Sequence, residues 1–333
     1  MALVLLLMLT LPAAALHPAP NPGKMEVRGI TISTHGIGHD WGSDAIVPTL
    51  EAIRDLGANW VSIHPYASIH SDGTLSWTDI DPENPPDHIV RPIREAHRLG
   101  MSICIKPHIA YWRSPFSWRG EIAFANDEAW QRFWRDYRKW IAVLATLCRD
   151  ADGFVVGTEL DRTLGFEEQW RALIAEVRQR TDAPLSYAAN WTDYHRVPFW
   201  DALDVIGIQA YFPLTDDPEY DEEDIRAGWS SRVRELRSYG ERHNRNILFT
   251  ELGYNQSHRA PLEPWAYPTD GEDALPVQIA CMRTALAAIA AEPRIVGALL
   301  WKWFPYPHSV GRNFQLATPP IKRVISAAWL KPR

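Results

Sequence analysis

Short apolar runs rich in β-branched residues alternate with longer amphipathic runs along most of this chain. A short apolar run bounded by turn residues reads as a strand buried on both faces. A longer run with apolar positions every three or four residues reads as a half-buried helix. Strands are thus predicted at Val27–Ser33, Asn59–Ile63, Met101–Lys106, Gly153–Thr158, Leu185–Asn190, Val205–Ala210, Ile247–Thr250 and Ile295–Leu300. Helices are predicted to begin near Asp44, Pro86, Asp127, Phe166, Val197, Trp229, Asp273 and Pro319. The run from Asp127 shows the helical period well, with Trp130, Phe133, Trp134, Tyr137, Trp140, Ile141, Leu144, Leu147 and Cys148 on one stripe. Its tryptophans are therefore assigned to the core.

About eight such βα units predict an α/β fold with a parallel sheet, closed as a single (β/α)8 TIM barrel over residues 27–333. The loops are asymmetric in the way a barrel requires. Helix-to-strand connections are terse, as at Gly57-Ala58 and Gly100, whereas the strand-to-helix segments His64 to Pro85, Pro107 to Asn126, Tyr211 to Gly228 and Leu252 to Glu272 are long. These long loops hold most of the His, Tyr, Trp and Asp outside the regular elements, which marks the carboxyl end of the strands as the functional face. The acidic run Asp216 to Asp224 reads as a solvated loop.

Two strands end in a carboxylate: Phe154-Val155-Val156-Gly157-Thr158-Glu159 and Ile247-Leu248-Phe249-Thr250-Glu251. Counted along the barrel, Glu159 closes the fourth strand and Glu251 the seventh, so both project into its mouth. Each alone could be a strand-end salt-bridge residue. Two together among aromatic loops match the needs of glycoside cleavage, in which one carboxyl group protonates the leaving oxygen and the other attacks or stabilises the oxocarbenium-like centre.

Composition sharpens this picture. Acidic residues outnumber basic ones 41 to 34, so the chain offers no electrostatic footprint for nucleic acid. Its 16 tryptophans exceed ordinary use, and those near the carboxylates suit a carbohydrate groove because indole faces stack on the C–H faces of sugars. Three cysteines leave at least one free thiol, and Cys104, Cys148 and Cys281 all fall in strand-like or helix-like runs, as buried structural residues do. His35, His39 and Asp40 lie in a glycine-rich loop without the helical spacing of a zinc protease, so no metal is assigned. That loop's Gly36, Gly38 and Gly42 only approximate a dinucleotide fingerprint, with Trp41 at the third glycine position, and no cofactor is expected. Residues 1–16 read as a signal peptide, with an apolar stretch from Ala2 to Leu11 and small residues Ala13, Ala14 and Ala15, although no Lys or Arg precedes the stretch. Residues 17–26, with Pro18, Pro20 and Pro22, read as a linker. This predicts a secreted or periplasmic protein without a stable membrane span; oligomeric state is not legible.

Several segments resemble glycoside hydrolase family 113, within the large clan A of retaining β-glycosidases. They are Trp60-Val61-Ser62-Ile63-His64-Pro65, Ile105-Lys106-Pro107-His108, Val156-Gly157-Thr158-Glu159-Leu160, Tyr187-Ala188-Ala189-Asn190-Trp191, Phe199-Trp200-Asp201-Ala202-Leu203-Asp204 with Gly207, Tyr211-Phe212-Pro213-Leu214, and Phe249-Thr250-Glu251-Leu252-Gly253-Tyr254. The resemblance spans Val27 to Leu330. It implies an endo-β-1,4-mannanase acting on a β-linked polysaccharide or oligosaccharide, with Glu159 as acid/base and Glu251 as nucleophile. A β-glycosidase of other specificity, such as a β-glucanase or an exo-acting enzyme, and a carbohydrate-binding pseudoenzyme are the alternatives. The chain departs from the clan at Thr158, where the clan usually has an Asn that binds the substrate 2-hydroxyl. Asn190 is the candidate replacement, or else a cap for the following segment. Tyr211 matches the clan position of a tyrosine that hydrogen-bonds the nucleophile. Trp301 or Trp303 would floor the sugar site, one of them being core. His64, His108, Trp112, Trp191 and Tyr254, each just past a strand end, are further candidates for hydroxyl contacts or stacking.

Overall fold

The computed structural model describes residues 26–306 and 313–330; the signal-peptide reading and nearly all of the linker fall outside them. Eight parallel strands close into a barrel: β1 (Val27–Ile32), β2 (Trp60–Ile63), β3 (Ser102–Ile105), β4 (Gly153–Thr158), β5 (Leu185–Asn190), β6 (Val205–Gln209), β7 (Asn246–Leu252) and β8 (Ile295–Trp303). Each strand lies beside its neighbours in sequence, and β8 pairs with β1 from Val27↔Gly297 to Ile32↔Trp303. Closure leaves no open edge, and the helices outside together with the packed interior cover both faces of the strands, which is why the runs are largely apolar on both. The seam is tight at Gly297, where φ is +146° and an added Cβ would sit 2.0 Å from the Val27 carbonyl oxygen.

Among the described residues, seven α-helices surround the strands: α1 (Ile46–Asp55), α2 (Asp87–Arg98), α3 (Asp127–Leu147), α4 (Glu167–Arg178), α5 (Glu222–His243), α6 (Leu275–Ala291) and α7 (Pro319–Trp329). α3 begins where its pattern predicts because the Asn126 side chain accepts from the Ala129 N–H at 2.9 Å. It buries Phe133, Trp134, Tyr137 and Trp140, and the Tyr137 hydroxyl donates to the Val156 carbonyl of β4 at 2.8 Å. The three cysteines are free and buried. One stretch, Glu272–Ala291, is long and apolar enough to cross a membrane, but here it packs in the barrel wall against α5, α7 and β8.

Two expectations need correction. The helix expected from Val197 is replaced by two single 3₁₀ turns, Tyr194–Arg196 and Trp200–Ala202. Pro198 supplies no N–H and disfavours a helical Val197, whose ψ is 113°, and the chain must reach β6 at Val205. The helix expected near Trp229 starts two turns earlier, at Glu222. Asp221 forms a capping box there, accepting from the N–H groups of Glu223 and Asp224 while Asp224 accepts from its own N–H. The end of the acidic run is therefore the first turn of α5, where carboxylates favour the positive end of the helix dipole. Three short strands, Tyr66–Ile69, Leu75–Ser76 and His108–Ala110, form a small sheet beyond β2 and β3. It builds one rim of the barrel mouth.

Candidate active site

Glu159 and Glu251 line one cleft of about 680 Å³ at the carboxyl end of the barrel. Glu159 follows the last residue of β4 and adopts φ +51°, a left-handed conformation that costs a non-glycine residue on the order of 1–3 kcal/mol. Its N–H is held by the Ala188 carbonyl of β5 at 2.9 Å, so the neighbouring strand enforces the turn that aims the side chain into the mouth. Glu251 lies inside β7, which continues to Leu252 rather than ending at Thr250.

The surroundings of the two carboxyl groups differ. Glu251 accepts from the ammonium of Lys106, a fully buried residue just past β3 that also donates to the Thr250 carbonyl at 2.9 Å. Its other oxygen accepts from the Tyr211 hydroxyl at 2.8 Å. Burial lowers the Lys106 pKa, and the adjacent Glu251 carboxylate works against that shift. Glu159 accepts from the Arg119 guanidinium at 2.7 Å. Burial nevertheless raises its pKa; the Arg119 charge opposes this and the Glu251 charge adds to it. The cleft thus braces one carboxylate between a cation and a hydroxyl and pushes the other toward its protonated form.

Most of the sequence-predicted residues gather here. Asn190, Tyr211, Trp301, His108, Trp112 and Trp191 all line the cleft. Thr158 does not, since its hydroxyl turns away to donate to the Pro107 carbonyl at 3.1 Å. Asn190 lies beside Asp161, whose carboxyl is pushed up to about 8 by burial and then by Asp193 and Glu159. His108 Nε2 stands 3.6 Å from a Glu251 oxygen, and burial together with Arg119 and Lys106 lowers its pKa well below the usual range, leaving a neutral imidazole.

Three candidates lie elsewhere. His64 is fully buried one layer behind the wall, its ring stacked 4.8 Å from His108 and tilted against Trp301 at 5.2 Å. Tyr254 turns outward, where its hydroxyl accepts from Trp229 Nε1 at 3.1 Å and its carbonyl from Gln278 at 2.8 Å. Trp303 is core. Residues two apart on a regular strand share a face, but the β1–β8 register jumps from Thr31↔Trp301 to Ile32↔Trp303. Lys302 is the extra residue, so of the two tryptophans Trp301 faces the cleft and Trp303 does not.

Sequence reasoning missed several residues that line the cleft or stand behind it. Lys106 stood in a quoted segment without a role, although a lysine closing an apolar strand cannot stay charged in a core without a partner. Arg119, Tyr66, Tyr267 and Trp265 belong to the long segments between strand and helix, where Tyr66 opens a short strand of the rim sheet and the rest follow courses that no periodicity reveals. Lys302 also faces the cleft, 5.0 Å from the Trp301 ring centroid, and burial lowers its pKa to about 8. Among the described residues no cluster of three or more metal-ligating side chains occurs.

A closed parallel barrel that presents two unlike carboxyl groups across an aromatic-walled cleft at its strand ends is the architecture of a glycoside hydrolase. The family model of Glycoside Hydrolase Family 113 matches residues 30–310, and the chain belongs to that family. Among solved structures, it is similar to a family 113 β-mannanase from Alicyclobacillus acidocaldarius in complex with ManMIm, at 27% identity and a TM-score of 0.78, over 91% of this chain and 97% of that one. A second family 113 β-1,4-mannanase, at 20% identity and a TM-score of 0.79, aligns over 93% of this chain and 100% of its own. A family 5 mannosidase from Rhizomucor miehei in complex with mannosyl-fructose shares the fold at 11% identity and a TM-score of 0.60, over 95% of this chain and 96% of that one. A search of curated proteins gives no match.

Proposed function

We propose that this chain is an endo-β-1,4-mannanase that hydrolyses mannan and manno-oligosaccharides with retention of configuration. Glu251 attacks the anomeric carbon as Glu159 gives its proton to the leaving glycosidic oxygen. Glu159 then takes a proton from the water that displaces Glu251. The observation that carries this reading is the opposed environment of the two groups, with Lys106 and Tyr211 bonded to Glu251 while burial raises Glu159. The β-mannanase at 27% identity supports mannose as the sugar.

Mannose carries an axial 2-hydroxyl. With Thr158 turned toward Pro107, Asn190 is the side chain assigned to that hydroxyl. Manno-oligosaccharides are expected to be cleaved faster than cello-oligosaccharides by a discrimination of about 2–3 kcal/mol, because a site built for one hydroxyl leaves polar groups unpaired when it points elsewhere. Asn190→Ala should lower kcat/KM on mannosides more than on any glucoside turned over. Equal or better hydrolysis of cello-oligosaccharides by the wild-type enzyme would reject the mannan assignment and leave a β-glucanase.

The acid/base assignment makes a separate prediction about pH. Activity requires Glu159 protonated at the first step, so its titration forms the alkaline limb of a bell-shaped profile. Arg119 favours the ionised carboxylate; removing it in Arg119→Gln raises the Glu159 pKa further, and the alkaline limb moves to higher pH. An alkaline limb that stays in place in a folded variant would assign it to another group.

A further inference from the structure

The charges at the cleft do not cancel. Glu159 and Glu251 line it together with Arg119 and Lys302. Arg119 pairs with Glu159, and the buried Lys106 pairs with Glu251. Lys302 is left as a third cation, and among the described residues no carboxylate forms an ion pair with it. The surplus grows once Glu159 holds the proton that its role as acid requires. It stands out in a chain whose net charge is -7.

Lys302 is held in place. Its N–H donates to the Phe314 carbonyl at 2.8 Å, and its own carbonyl accepts from the Leu316 N–H at 3.0 Å. The ammonium stands 5.0 Å from the ring centroid of Trp301 and 5.2 Å from that of Phe304. Ring faces attract the charge, but an ammonium also has three N–H donors that seek oxygen. Burial lowers its pKa to about 8, which still leaves it charged at neutral pH. A partly desolvated cation without a counter-charge is costly, and a ligand that brings the anion removes that cost. Strand order gives its place along the cleft. β8 lies between β1 and β7, the strand of Glu251, and across the barrel from β4, at whose end Glu159 stands. Trp301 is the floor assigned to the sugar that is attacked, so Lys302 faces that sugar or the next one away from the bond.

We propose that Lys302 is a carboxylate-binding residue on the non-reducing side of the scissile bond, so that the cleft takes β-linked chains carrying hexuronate residues as well as neutral ones. The inference rests on the proposed function for which side of the bond is which. The test compares wild type, Lys302→Met and Lys302→Arg on an aryl β-mannobioside and on the two compounds in which one of its sugars is oxidised to the uronate at C6. For the better acidic compound, the ratio of its kcat/KM to that of the neutral one is expected to fall about tenfold in Lys302→Met, mainly through KM, and to be largely kept in Lys302→Arg. An unchanged ratio in Lys302→Met with wild-type melting behaviour would make Lys302 a donor to hydroxyl groups and overturn the proposal. If the Met variant does not fold, Lys302→Gln carries the same comparison. Acetate that inhibits the wild-type enzyme as strongly as free oxidised mannobiose would mark a site for any small anion and overturn the sugar assignment. Failure of the wild-type enzyme on all three mannosides would instead reject the proposed function. Calorimetric binding of cellobiose and its C6-oxidised forms to the same variants would then decide the role of the lysine alone.

Discussion

Glu251→Ala is expected to lose turnover by a factor on the order of 10⁴ to 10⁶, the scale seen when a covalent nucleophile is removed. The loss should be chemical rather than structural. Glu251 is held by Lys106, Tyr211 and the β7 backbone, and its removal leaves the barrel strands paired as before. With an activated β-mannoside and azide, the small anion enters the vacated space and displaces the leaving group directly, giving the α-glycosyl azide. Glu159→Ala should behave differently. Its loss should be about 10²–10⁴ on substrates with poor leaving groups and small on activated ones, since only the proton donor is gone. Azide then attacks the glycosyl enzyme from the opposite face and gives the β-azide. Product configuration by NMR reads the two outcomes. Near wild-type turnover in both variants on a confirmed substrate would remove the carboxylate pair from the mechanism.

Lys106→Met is expected to produce the second largest effect, on activity and stability together. The ammonium is fully buried and bonded to Glu251, which is itself only 5% exposed. Breaking a buried pair by removing one partner costs about 3–5 kcal/mol, because the remaining charge is left uncompensated. Without the cation, Glu251 also loses one of the two donors that hold its carboxylate, and kcat falls more than KM changes. Urea unfolding measures the first effect and the split between kcat and KM the second. A destabilised enzyme with wild-type kcat would make Lys106 a structural lysine with no hand in holding Glu251 for attack.

How legible the site was depended on where each residue stood relative to regular structure. Glu159 and Glu251 could be placed because a carboxylate interrupts or follows an apolar strand run at its carboxyl end, and barrel geometry sends both strand ends to the same mouth. Tyr211, Asn190 and Trp191 stood at strand ends for the same reason and came to the cleft. Tyr254 and His64 met the same positional criterion and did not, because position past a strand end says nothing about which way a side chain turns. Tyr254 is drawn outward by Trp229 and Gln278, and His64 is covered by His108 and Trp301.

The sequence by itself determined the eight-stranded parallel barrel, the order of its strands, the core face of α3 and the pair of glutamates. All of these follow from periodicity and chain order, which are local and repeat often enough to be read. Tertiary structure alone decided the partners of the two glutamates. Lys106 and Glu251 are 145 residues apart, Arg119 and Glu159 are 40 apart, and Trp191 meets Trp265 through a loop with no periodic signal. It also decided which of Trp301 and Trp303 faces the cleft, since one register jump against β1 reverses the alternation that the sequence displays. The physical reason is common to these cases. Pairing across a closed barrel depends on strand register and loop course, and both are settled by packing between segments that are distant in the chain.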